Sequence, residues 1–132
     1  MALQANELRI GNYFTSPNGN IQILSSIWQR DEVEWWGSNE AKAHFELSTR
    51  NPIPLTPEIL EKCGFHSKYK SVHMQWNIGG FYLHQKSDVD DDNISIPEEN
   101  VFHYDFTYEI KYLHQLQNLY FALTGEELNY TP

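Results

Sequence analysis

The chain has 132 residues, which suits one domain and leaves no room for two full ones. Hydrophobic residues make up 40% and aromatic residues 14%, with 8 Tyr, 7 Phe and 4 Trp, so a core built of large flat side chains favours strands over helices. Nine basic residues against 18 acidic ones leave a net charge of −9. Such a surface repels nucleic-acid phosphate and anionic lipid, which argues against both as partners. Cys63 is the single cysteine, so no internal disulfide can form and a reducing compartment is expected. The first residues, Met1 to Glu7, lack the basic and apolar regions of a secretory signal. No apolar run is long enough to span a bilayer. A cytoplasmic location is expected by elimination.

In chain order, Leu8, Ile10 and Tyr13-Phe14 read as a first strand, closed by a turn at Ser16-Pro17-Asn18-Gly19. Ile21 to Trp28 reads as its hairpin partner. After a turn at Arg30-Asp31-Glu32, Val33 to Trp36 and His44 to Leu47 read as two short strands. The first fifty residues are thus expected to form a small antiparallel β-barrel or roll-like unit. A Pro-punctuated connector leads to a short helix over 57–63, with Thr56 as N-cap, Pro57 at the first helical position and Gly64 just past the end. Leu55 and Phe65 are placed to close over Leu60 from its two ends.

Gly79-Gly80 predicts a hairpin turn that pairs Ile78 with Phe81, Trp76 with Leu83 and Gln75 with His84. Alternation puts Val72, Met74, Trp76, Ile78, Phe81 and Leu83 on a core face. His73, Gln75, Asn77, Tyr82, His84 and Lys86 fall on the wet face. An acidic loop, Asp88 to Asp92, precedes extended sequence to about Tyr112. A helix over 113–123 follows, with a core stripe of Leu113, Leu116, Leu119, Tyr120 and Leu123 and a cap at Thr124-Gly125. The expected whole is a single α+β domain over 1–132, antiparallel and β-rich. It divides into a β subunit over 1–50, a second antiparallel sheet with both helices packed against it over 51–125, and a loose tail over 126–132.

Three places could carry function. Asp88, Asp90, Asp92 and Glu99 have the acidic spacing of a calcium-binding loop. Asn93 stands where glycine belongs, Pro97 interrupts the exit and the flanks read as strands, so a solvated hairpin loop weighs more. His73 and His84, diagonal on the wet hairpin face, could share a metal, but the neighbouring Tyr82 and Gln75 are poor ligands. The same face could instead line a ligand pocket with His73, Tyr82 and His84. The last helix carries His114, Asn118 and Phe121 opposite its stripe, as expected of a helix covered on two sides. The N-terminal unit, a second copy of the chain or another protein could supply that cover. Cys63 at the helix C-terminus is not an activated thiol. No phosphate-binding, dinucleotide-binding or nucleophile-elbow motif occurs, so catalysis has no specific support.

Glu7-Leu8-Arg9-Ile10-Gly11-Asn12, Pro52 to Glu58, Cys63-Gly64-Phe65 and the block from Ile110 to Gly125 together resemble a family of small uncharacterised proteins from Bacteroidota genomes and their phages or mobile elements. The C-terminal block is the most specific part. Residues between Phe65 and Tyr108 take no part in the resemblance. It implies a bacterial setting and transfers no functional residues. The preferred expectation is a non-catalytic binding or interaction protein, with a small ligand-binding or enzymatic domain as one alternative and a calcium-binding loop as another.

Overall fold

A computed structural model describes residues 2–70, 73–89, 95–105 and 107–132, with backbone alone at 69, 70, 73, 86–89 and 95–100. The chain folds as two compact units, one of Met1–Ile53 with Tyr112–Gly125 and one of Pro54–Lys111 with Glu126–Pro132. Every sheet among the described residues is antiparallel, in keeping with the α+β reading.

In the first unit, β1 (Tyr13–Thr15) pairs with β2 (Ile21–Ile23), while β3 (Ser26–Gln29), β4 (Trp35–Ser38) and β5 (His44–Glu46) make a separate three-stranded sheet. These sheets do not close into a barrel among the described residues. Leu8 and Ile10 are not in a strand: Arg9 and Asn12 close a tight turn on each other, and Gly11 has a φ of 97°. The long strand expected from Ile21 to Trp28 breaks between Ile23 and Ser26. Leu24 bonds there to Asn12 and Ser25 to Ser38, so the chain leaves one sheet and enters the other. Leu3, Phe14, Leu24, Phe45 and Leu47 form a buried cluster, with the Phe14 and Phe45 rings 5.0 Å apart.

Helix α2 (Leu113–Thr124) belongs to this first unit rather than to the second sheet. Gln115 accepts a hydrogen bond from the Tyr112 backbone at its start, and Gly125, with φ 74°, ends it by donating to Phe121. Leu113 and Leu116 are buried, but Leu123 at the end of the expected stripe is 52% exposed.

In the second unit, α1 (Pro57–Lys62) ends as its local sequence requires. Thr56 accepts from the Ile59 N–H, while Phe65 donates to Leu60 and Gly64 to Glu61, the paired bonds of a Schellman cap. Strands β6 (His66–Lys70), β7 (His73–Ile78), β8 (Phe81–Val89), β9 (Ser95–Tyr104) and β10 (Tyr108–Ile110) form a five-stranded meander in which each strand pairs with the next. The β7–β8 register matches Ile78 with Phe81, Trp76 with Leu83 and Gln75 with His84, as the Gly79-Gly80 turn predicts. Trp76, Phe81 and Leu83 are buried. So is Gln85, whose carbonyl accepts the Trp76 indole N–H at 3.0 Å.

The C-terminal segment is not loose. Leu128 and Tyr130 are buried, and Thr131 donates to the Lys62 carbonyl at the end of α1. Among the described residues, no helix is long and apolar enough to cross a membrane.

Candidate functional site

The meander brings together residues that lie far apart in sequence. Residues directly opposite one another on antiparallel strands share a face. Lys68 faces Gln75, Gln75 faces His84, His84 faces His103 and His103 faces Glu109, so one polar row crosses all five strands. A second row runs from His66 through Asn77 to Tyr82. At the β8–β9 end these rows border a depression of ≈ 210 Å³, open to solvent and lined by Gln75, Gly80, Tyr82, His84, Tyr104 and Asp105.

Each lining residue has a local reason for its place. The Gly79-Gly80 turn brings β8 back beside β7. Tyr82 stands 44% exposed, and Tyr104 is held by stacking on the buried Phe81 at 5.3 Å. Asp105 begins the turn into β10 with φ 54°, a left-handed conformation that Asp and Asn tolerate better than other side chains. Its exposed carboxylate has no hydrogen bond or ion pair among the described residues, whereas nearby Glu109 is 3.5 Å from Lys111.

Tyr82 and His84 are therefore brought together as the alternation predicts, with a carboxylate beside them. Asp105, Tyr104 and His103 escape sequence reasoning because their position depends on the β8–β9 register, which no tight turn reveals. His73 opens β7, but its side chain lies outside the described residues. The calcium reading also lies outside them. Asp90 and Asp92 are not described, and only the backbones of Asp88 and Glu99, in β8 and β9, are. Among the described residues no group of three or more His, Cys, Asp or Glu could hold a metal ion. Cys63 is buried, which pushes its thiol up to about 12, far from the reactive thiolate range.

The other candidate face, on α2, is engaged inside its own unit. His114 is 1% exposed, its ring stacks on Tyr112, and its Nε2 lies 3.5 Å from Glu7 Oε2. Asn118 accepts from Asn12 Nδ2 at 2.8 Å and from Arg9 Nε at 3.3 Å, and donates to the Glu7 carbonyl. The Arg9 guanidinium lies 4.3 Å from the centre of the Phe121 ring. Gln117, outside the sequence-derived set, completes the network by donating to the Gly11 carbonyl and accepting from the Tyr13 N–H. Of the two-sided covers open at the sequence level, the N-terminal β unit supplies the one seen at His114 and Asn118.

Burial lowers the His114 pKa, against an opposing pull from the Glu7 carboxylate. Below the ordinary value of 6.5 the unfolded imidazole takes a proton that the folded one resists. Stability is therefore expected to fall as pH drops from about 6.5 toward the folded pKa, and to level off below it. Urea unfolding from about pH 5 to pH 7.5 checks this. His114→Gln should flatten the slope, and an unchanged slope would place its origin elsewhere.

No protein-family model, curated protein or solved structure matches this chain, so the chemistry of the depression stands on its own geometry.

Proposed function

We propose that this protein is a non-catalytic binding protein that engages a partner through the polar face of its five-stranded sheet. The observation that supports the reading is the convergence of Gln75, Tyr82, His84 and Asp105 on one open depression. Hydrogen-bonding groups on a sheet are held by the ladder beneath them, and a preorganised surface loses little entropy on binding. An exposed tyrosine among amide, imidazole and carboxylate groups is the mixture that interfaces use. The bacterial or mobile-element setting implied by the resemblance belongs to the same proposal. A second reading, acid–base chemistry on a bound small ligand, draws on the same imidazole, phenol and carboxylate. It requires that a ligand be altered as well as held.

A photo-crosslinking residue in place of Tyr82 tests the binding face. It is expected to give a discrete adduct in host extract that Asp105→Asn weakens. The same residue at Val33, 85% exposed in the other unit, should give none that depends on Asp105. Adducts of equal strength from both positions, or none from position 82, would overturn the proposal.

A further inference from the structure

Asp105 places an anionic carboxylate at the edge of the depression with no hydrogen bond or ion pair among the described residues. The Gln75 amide, on the neighbouring floor, is likewise without a hydrogen-bond partner among them. Tyr82, 44% exposed, lines the same space with an aromatic ring; Tyr104 also borders it, with its ring stacked on Phe81. Acceptor oxygens beside an exposed aromatic ring suit a cation, which the carboxylate attracts and the ring face stabilises. A planar guanidinium fits better than an ammonium. Its fork of N–H donors can bond a carboxylate and an amide oxygen together while its flat face lies against a ring.

On the binding reading above, we propose that the depression receives an arginine side chain presented by a partner protein. Two observations favour a protein-borne arginine over a free cationic metabolite. The depression is open, whereas sites for free small molecules enclose most of the ligand. The net charge of −9 also steers the whole molecule toward a basic surface, which speeds encounter and suppresses acidic partners.

The test is a nitrogen-15 NMR titration with a short, otherwise neutral peptide holding one arginine, run beside the same peptide with uncharged citrulline. The arginine peptide is expected to shift the amides of Tyr82, Tyr104 and Asp105, and the citrulline peptide to leave them in place. Asp105→Asn should weaken the arginine peptide about tenfold, the loss of a charge-assisted hydrogen bond. Its melting temperature should hold, because asparagine also accepts the left-handed backbone. Equal shifts from both peptides, no shift from either, or unchanged affinity in Asp105→Asn would overturn the arginine assignment. If that assignment fails while the Tyr82 crosslink persists, the binding face stands with a different ligand; if both fail, the face itself falls.

Discussion

Replacing Gln117 with leucine is expected to lower the unfolding free energy by about 3–5 kcal/mol, since each buried group left without a partner costs about 1–3 kcal/mol. Gln117 is 1% exposed and Asn12 is fully buried. The Gln117 amide donates to the Gly11 carbonyl at 3.1 Å, accepts from the Tyr13 N–H at 3.0 Å and receives Asn12 Nδ2 at 3.4 Å. Leucine has nearly the same volume, so little of the loss comes from a cavity. What remains is a part-buried Gly11 carbonyl and a part-buried Tyr13 N–H, each stripped of its bond to the amide. Gln117→Glu separates the two bonds: the carboxylate keeps the acceptor, loses the donor to Gly11, and introduces a charge into a buried network of amide and backbone groups. It is expected to destabilise at least as much, and more at neutral pH than in acid. Leu123→Gln, at a half-exposed position of the same helix, should stay within about 0.5 kcal/mol. Urea unfolding of the three variants decides the matter. A Gln117→Leu protein within about 1 kcal/mol of the parent would mean that the network is dispensable.

That network also marks where the sequence stops being readable. The α1 helix is legible because its cap residues, Thr56, Pro57 and Gly64, act within one turn of where they stand. The β7–β8 register is legible for the same reason, since two glycines at a hairpin turn fix which residues face each other. The buried Trp76, Phe81 and Leu83 and the exposed Tyr82 of that hairpin follow from alternation alone, while Val72 and the side chains of His73 and Lys86 lie outside the described residues. The placement of α2 is different. Its bonds to Asn12, Tyr13 and Gly11 cross more than a hundred residues of chain, and its polar positions His114 and Asn118 look the same in sequence whether the cover is internal or a partner.

The candidate site divides in the same way. Tyr82 and His84 come from a local hairpin and are found by counting. Asp105 reaches them only through the β8–β9 pairing, whose register shifts between Gln85 and Ser87, so counting back from the acidic loop would misplace it. The tail shows a third limit. Leu128 and Tyr130 alternate within a short polar stretch that has no periodicity to announce burial, yet both are covered.

Gly37 supplies the second large effect, and its cause is space rather than backbone freedom. It lies inside β4, opposite Ile27 and Phe45, where glycine is normally unfavourable because it has no side chain to pack. A Cβ built there would lie 2.9 Å from Leu24 Cδ1, 3.1 Å from the Ser26 carbonyl oxygen and 3.2 Å from Phe45 Cε2. The leucine tip can swing aside. The carbonyl cannot, because it belongs to the neighbouring strand, and the Phe45 ring is held against Phe14. Gly37→Ala is therefore expected to cost about 2 kcal/mol through overpacking, and Gly37→Val about 3 kcal/mol. The strand preference of valine, worth up to about 1 kcal/mol, would pull the other way if crowding were absent. The sign of the valine change thus reports which effect wins. Gly80 provides the contrast: an added Cβ there meets nothing within 4 Å, so Gly80→Ala should be neutral to within about 0.5 kcal/mol. If Gly37→Val proves as stable as the parent, the Ser26 strand must give way more easily than its ladder to β4 implies, and the close approach of Leu24, Ser26 and Phe45 would no longer account for a glycine at this position.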